Sequence, residues 1–294
     1  MAKPPLPVFD IEQFKHFGKE DDFYANTLSG HLKKYGFIFK PHKHNFYFAA
    51  LCTKGSGKQK IDFVDYEVKP GAVFLLSPGQ AHSWNVSDDA DGFIFFHTKS
   101  FFNLHFPSKK VEEYPFFCST YNSPLIHLNK NPMGKAESIF SEIVEEYKED
   151  HLMRFQKIYS LIDLLYIDLS RVYLPDIKTQ TQNHGFLSKL RRLEDLIEEN
   201  FKTMKSPGAY AKMMFLSERH LNRICKECLN KTTSDLIMDK IMLEAKRMLA
   251  QTQLSISEIA GELGYYDVSY FSRLFKRESG QTPAEFMKKY NYAN

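Results

Sequence analysis

The chain has 294 residues, of which 43% are hydrophobic, 15% aromatic and 26% charged, with a formal net charge of +3. This balance excludes a disordered chain, a collagen-like repeat and a polycation, and the length fits about two domains with real cores. Four cysteines, Cys52, Cys118, Cys225 and Cys228, are too few for a disulfide framework. The N-terminal Met1-Ala2-Lys3-Pro4-Pro5-Leu6-Pro7 lacks the apolar run of a signal peptide, and no run approaches the roughly 20 residues that span a bilayer. A cytoplasmic protein with no membrane partner is expected. From Ser188 onward 18 basic residues face 14 acidic ones, so the last third carries all the net positive charge. A basic module beside a neutral one hints at a polyanion partner.

The N-terminal third reads as strands. Tyr35–Phe39, Phe46–Leu51, Lys58–Val64, Ala72–Leu76 and Gly92–Phe96 are short and rich in aromatic or β-branched residues. Lys54-Gly55-Ser56-Gly57, Pro70-Gly71 and Ser77-Pro78-Gly79 are turn signals between them. Short strands at this spacing suggest a small barrel or jelly roll. The period then changes. Ile139, Ile143, Val144 and Tyr147 form one helical stripe, and Phe155, Ile158, Ile162, Leu165, Leu169 and Val172 a second, ended by Leu174-Pro175. The second stripe is expected to hold a homodimer. The polar, aperiodic stretch Pro175–Gly185 reads as an interdomain linker, and everything after Phe186 is helical in pattern.

The last third contains an internal repeat with an offset of 50. Ser217–Lys226 matches Asp267–Lys276: Arg223 with Arg273, Lys226 with Lys276, Leu221 with Phe271, Ile224 with Leu274, Cys225 with Phe275, and then Thr232 with Thr282. Each copy follows a short helix and a tight turn. Ser255-Ile256-Ser257-Glu258 is a capping box, Ala260 lets the next helix cross closely, Gly264 turns the chain, and Asp267 caps the next helix. In the first copy Ser206-Pro207 is a cap with proline at N1, Ala211 is the small residue, Phe215 stands where Gly264 stands, and Ser217 caps. This is helix-turn-helix grammar twice over. Between the copies, Ser234–Gln251 reads as one amphipathic helix that spaces them. Two copies with the same outward arginine and lysine are hard to explain as packing of an ordinary helical domain. Cys225-x-x-Cys228 has zinc or redox spacing, but Cys225 takes the buried place of Phe275 and nothing completes a tetrahedral set, so core packing is expected.

Ser217–Lys226, Glu244–Leu249, Ile256–Tyr265, Ser269–Arg277 and Gly280–Phe286 resemble the AraC/XylS family of bacterial transcription regulators, over roughly the last 105 residues. The resemblance implies a domain with two helix-turn-helix motifs joined by a long helix, whose recognition helices enter successive major grooves of double-stranded DNA. It places Arg219, Asn222 and Arg223 at base-facing positions of the first recognition helix, and Val268, Ser269, Ser272 and Arg273 at those of the second. The side-chain chemistry agrees, because arginine can pair bidentately with guanine and asparagine with adenine. Lys226 and Lys276, one turn on, would serve phosphates. Val268 can read only a thymine methyl, so the second helix is expected to discriminate less.

Gly36-x5-His42-x-His44 and Gly71…Pro78-Gly79-Gln80-Ala81-His82 resemble the two metal-binding motifs of cupins. The glutamate those motifs want after the histidine pair is replaced by Asn45-Phe46-Tyr47-Phe48-Ala49, and the second motif is shortened. Sensor domains of AraC-type regulators keep this degenerate pattern without metal. His42, His44, Phe46, Phe48, His82, Trp84 and Phe95 are therefore candidates for an effector pocket, with no metal, no cofactor and no catalytic residue assigned. No Ser-His-Asp set, Walker loop or dinucleotide fingerprint occurs.

The expected fold is α+β and multidomain. A cupin-like β-barrel or jelly roll occupies 1–131, dimerisation helices 132–174, a linker 175–186, and an all-α DNA-binding domain 187–294 with motifs at about 206–229 and 256–279. The expected function is sequence-specific transcription regulation under a small-molecule effector, with no enzyme activity, promoter DNA as partner and RNA polymerase as a further one. The alternatives are a metal-dependent cupin enzyme fused to a DNA-binding module and a regulator without an effector.

Overall fold

The computed structural model describes residues 6–14, 22–106, 109–119, 122–174 and 184–290. The chain divides into two compact units, Pro7–Gln182 and the part from Asn183 on. Among the described residues of the first unit ten strands form three sheets. β1 (Val8–Phe9) pairs in parallel with β3 (Lys43–His44). The main antiparallel sheet has the order β10-β7-β4-β9-β2, from β10 (Leu125–His127), β7 (Ala72–Leu76), β4 (Tyr47–Lys54), β9 (Asp91–His97) and β2 (Phe23–Thr27). A second antiparallel sheet has the order β6-β5-β8, from β6 (Val64–Val68), β5 (Gly57–Ile61) and β8 (His82–Val86).

β4 is buried from Tyr47 to Cys52 because both faces of its sheet are covered, which gives a continuous apolar run rather than alternation. One face carries Phe48 and Phe96, stacked at 5.4 Å, and looks into the sandwich. The other carries Phe95 and His97 and is covered by the helices α3 (Lys130–Lys148) and α4 (Arg154–Tyr173). There Phe95 meets Phe140 at 5.3 Å, and His97 Nε2 lies 2.9 Å from the Tyr166 hydroxyl.

Three readings of this unit need correction. Tyr35–Phe39 is not a strand: Gly36–Phe39 is a 3-10 turn following α1 (Leu28–Lys34), with Ile38 buried and Phe39 exposed. Strands β2, β6, β8 and β10 and helices α1 and α2 (Lys99–His105) carry no clear sequence signal, because polar residues interrupt their apolar ones. The central residues of the α4 stripe, read as a dimer surface, are packed within their own chain. Ile158, Ile162, Leu165 and Leu169 are at most 2% exposed within the one chain, packed in its own core, and only Phe155 and Val172 at the ends are partly accessible. The solvent side of α4 instead carries Leu164 and Val172.

Among its described residues the regular elements of the second unit are all helices: α5 (His184–Asn200), α6 (Pro207–Met213), α7 (Glu218–Leu229), α8 (Thr233–Gln251), α9 (Ile256–Glu262), α10 (Val268–Ser279) and α11 (Pro283–Tyr290). Of the linker reading, 175–183 lies outside the described residues, and its last residues already belong to α5, whose stripe Phe186, Leu190, Leu193, Ile197 has helical spacing. Reciprocal side-chain caps start α8 (Thr232, Asp235), α9 (Ser255, Glu258) and α11 (Thr282, Glu285). Pro207 opens α6 as expected, but the Ser206 side chain makes no cap bond. Lys240 of α8 is buried, with its ammonium 2.6 Å from Glu198, 2.9 Å from Glu244 and over the Phe201 ring at 5.1 Å. This ties α8 to the end of α5. No described helix is long and apolar enough to cross a membrane.

Candidate nucleic-acid interface and effector site

The two motifs are α6-turn-α7 and α9-turn-α10. Each first helix ends in the same bond: Leu216 N donates to Ala211 O at 2.9 Å, and Tyr265 N to Ala260 O at 2.8 Å. Ala211 and Ala260 are buried at the crossing, where a larger side chain would separate the helices. The left-handed position is Phe215 (φ 54°) in the first turn and Gly264 (φ 76°) in the second. The second turn is one residue longer, and that residue, Tyr266, is fully exposed. Ser217 then accepts from His220 N at 3.2 Å, and Asp267 from Ser269 N and Tyr270 N at 2.8 and 3.0 Å. These side chains satisfy helix N–H groups that have no partner within the helix.

Leu221, Ile224 and Cys225 bury one face of α7, and Phe271, Leu274 and Phe275 the same face of α10. At about 100° per residue, the positions opposite that face are Arg219, Arg223 and Lys226 on α7, and Ser269, Arg273 and Lys276 on α10. All six are exposed. Val268 and Ser272 lie on the flanks and are half-buried.

Asn222 is a correction. Its Oδ1 accepts from the backbone N–H of Thr233 at 2.9 Å, so its carbonyl is turned toward the start of α8 rather than outward. The matching residues are Ser272 and Pro283. Proline has no N–H, so the second copy has no such donor to satisfy. A bidentate asparagine–adenine pair needs that carbonyl free, which takes Asn222 out of the base-facing set.

Cys225 is buried, with its sulfur 3.5 Å from the Thr233 hydroxyl. Burial pushes both thiols up, that of Cys228 to about 12. That is the environment of packed, weakly nucleophilic thiols.

In the first unit, backbone pairing brings together histidines 40 residues apart. His42 N donates to His82 O at 3.0 Å, His82 N to His42 O at 2.8 Å, and Gly79 N to His44 O at 2.9 Å. The His42 and His82 ring centroids are 4.3 Å apart, and those of His44 and His82 5.0 Å. Nδ1 of His42 donates to Lys40 O and that of His44 to Phe46 O, both at 2.8 Å, since a carbonyl can only accept. His82 Nδ1 is 3.0 Å from the Gln59 side-chain amide nitrogen. His44 Nε2, His82 Nε2 and Gln59 Oε1 are buried with no hydrogen-bond partner among the described residues. Burial holds all three imidazoles below their usual range, His44 at about 3, so they are neutral near pH 7. Phe46, Phe48 and Trp84 surround them: Phe46 stacks on His44 at 4.4 Å, and Phe48 lies 6.3 Å from Trp84.

Phe95 is the exception among the pocket candidates, since it faces the helices. The sequence reading missed Gln59, and also Phe96, Tyr24 and His31, which continue the same interior through Phe46 and Phe96. Among the described residues no group of three or more His, Cys, Asp or Glu side chains is arranged to hold a metal ion. A separate cavity of about 390 Å³ lies between α3 and α4, walled by Leu128, Pro132, Ile139, Leu165 and Leu169, with Lys135 and Asp168 paired at 2.7 Å beside it.

Residues 29–127 match the family described as AraC-like ligand binding domain, and residues 210–289 a helix-turn-helix domain family. The chain is similar to the HTH-type transcriptional activator RhaR of Enterobacter sp. (strain 638), at 23% identity over 279 residues, covering 91% of this chain and 95% of that one. It is similar to YfiF of Bacillus subtilis (strain 168), an uncharacterized HTH-type transcriptional regulator, at 23% over 287 residues, covering 95% and 88%. Among solved structures it is similar to ToxT from Vibrio cholerae, with a TM-score of 0.42, 16% identity, and 91% and 98% covered.

Proposed function

We propose that this chain, which belongs to the AraC family of transcription regulators, reads promoter DNA through Arg219, Arg223 and Lys226 of the first recognition helix and Ser269, Arg273 and Lys276 of the second. The observation that carries this assignment is that both helices set these residues opposite their buried faces, at matching positions. Arginine is the base reader of choice for guanine, and the lysines one turn on suit phosphates. Ser269 and Arg273 leave the second helix with less hydrogen-bonding reach, so it anchors more than it selects. Two such helices on one face would address segments about 10 bp apart.

The effector site we propose comprises His42, His44, His82 and Gln59. Buried polar atoms without partners are rare, and a bound molecule carrying hydrogen-bonding groups would satisfy them. The aromatic walls would supply the apolar contact. The reading includes activation at the promoter in contact with RNA polymerase, a cytoplasmic location, no catalysis, and a homodimer formed through the solvent side of α4.

The test is selection of binding sites from a randomised duplex library with the full chain. A preferred site is expected. Arg223→Ala should lower affinity for it by about 1–3 kcal/mol and relax one base position, whereas Lys226→Ala should weaken all duplexes alike. Sequence-blind, salt-labile binding by a folded chain would overturn the assignment.

A further inference from the structure

The two recognition helices hold their matching arginines differently. The Arg223 guanidinium lies over the Phe186 ring, with 5.4 Å between the guanidinium carbon and the ring centroid. Its Nη2 is 3.1 Å from His220 Nδ1, and its Nε is 3.9 Å from the Glu227 carboxylate. Phe186 also meets the His220 ring edge-on, at 5.9 Å and 85°. Phe186 belongs to the first turn of α5, outside both helix-turn-helix motifs. The Arg223 side chain is nevertheless 58% exposed, so it is held without being hidden.

These contacts occupy the face of the guanidinium, one Nη2 hydrogen and Nε. A guanidinium has five N–H donors, so the Nη1 pair and the second Nη2 hydrogen remain for a base edge. That end-on fork is the geometry a guanine O6/N7 pair accepts. In the second copy the residue matching His220 is Tyr270, which packs against Tyr265 at 6.1 Å. Among the described residues no ring lies on Arg273.

We propose that Phe186 is a positioning residue for sequence readout: its ring fixes the plane of the Arg223 guanidinium and thereby sets how sharply the first recognition helix discriminates its guanine. This rests on the reading of α7 as a recognition helix. The ring acts by preorganisation. A guanidinium stacked on an aromatic face keeps its planar fork in one orientation, so less freedom is lost when the base pair forms. Phosphate contacts, which need charge but not orientation, do not depend on it.

The experiment uses the full chain, the duplex it selects from a randomised library, and that duplex changed at the base pair which Arg223→Ala relaxes. Phe186→Leu keeps apolar bulk without a π face. It should reduce discrimination at that base pair by about tenfold, equivalent to about 1.4 kcal/mol, and leave affinity for an unselected duplex within about twofold, well under that tenfold step. Phe186→Tyr should restore the wild-type ratio. In an Arg223→Ala background Phe186→Leu should change nothing further. The proposal is overturned if Phe186→Leu weakens every duplex alike, leaves the base preference intact, or acts equally without Arg223. A wild-type chain that selects no site overturns the recognition-helix reading and this proposal with it. If Phe186→Leu lowers helical content, Phe186→Tyr against Phe186→Trp decides the matter: both keep a π face, and a loss of discrimination in both would refute the stacking role.

Discussion

Replacing Gly264 by alanine should cost the second unit about 1.5–4.5 kcal/mol. The turn holds Gly264 at φ 76°, where a side chain is strained by about 1–2 kcal/mol. Alanine returns about 0.4–1 kcal/mol through a stiffer unfolded chain. The larger cost is contact. A Cβ at 264 would lie 2.0 Å from the Lys202 carbonyl oxygen, which is backbone and has no side-chain freedom to yield. That carbonyl accepts from Lys205 Nζ at 2.8 Å, and the same ammonium donates to Leu263 O at 2.9 Å. Moving the segment apart sacrifices at least one of these bonds to a charged group, at about 1.5–3 kcal/mol. Phe215 in the first turn is the mirror case. It takes the same left-handed conformation with a side chain that is 96% exposed, so Phe215→Gly loses no burial and should stabilise by about 0.5–1 kcal/mol. Urea unfolding followed by far-UV circular dichroism measures both. Trp84, the only tryptophan of the chain, reports the first unit separately and should not respond. A Gly264→Ala protein within about 1 kcal/mol of wild type, less than the lost bond alone, would refute the close-approach argument. A destabilised Phe215→Gly protein would refute the strain.

The first unit should lose stability in mild acid. Burial holds His31 and His44 at about 3 and His97 at about 4, against an ordinary 6.5. Because these pKa values are depressed, the unfolded chain takes up protons first as pH falls through 6.5. Stability is therefore complete above that value and drains away toward pH 4, by about 2 kcal/mol per histidine at pH 5. Trp84 fluorescence during urea unfolding at several pH values tests this, and a midpoint flat from pH 7 to 4.5 would refute neutral burial. For the dimer, Leu164→Lys with Val172→Lys should give a folded monomer by analytical ultracentrifugation, since both side chains are already solvent-facing in one chain. A variant that stays dimeric would remove this face from consideration.

The helix-turn-helix repeat was legible because its signals are local: a cap, a small residue, a turn, and apolar positions three and four apart. The Asn222 reading failed for a reason that also lay in the sequence. Thr233 needs an acceptor for its N–H and Pro283 does not, so the two copies could not use residues 222 and 272 alike. The α4 stripe illustrates a different limit. Periodicity reveals that a face is buried, but not against what. Ile162 and Leu165 line the chain's own core, and the His97–Tyr166 bond, between residues 69 apart, helps tie the helix to its sheet. The histidine cluster was partly legible from its cupin-like spacing. Gln59 was not, because a glutamine on an alternating strand reads as solvent-facing until β5 is known to pair with β8.

The two copies share what a fold needs and differ in what a reader needs. Buried positions, crossing alanines and the caps of the recognition helices match, since each is imposed by helix geometry and would be costly to lose. The outward surfaces have diverged. Arg223 sits among Phe186, His220 and Glu227, whereas α10 has Ser269 and Ser272 beside Arg273 and adds Tyr266 in a longer turn. An ordered arginine discriminates because a wrong base leaves its donors unpaired, while a freer one adapts and loses less. Sequence selectivity should therefore be concentrated in α7. A site for this chain would then consist of one sharply specified half and one tolerant half, both needed for affinity and only the first needed for recognition.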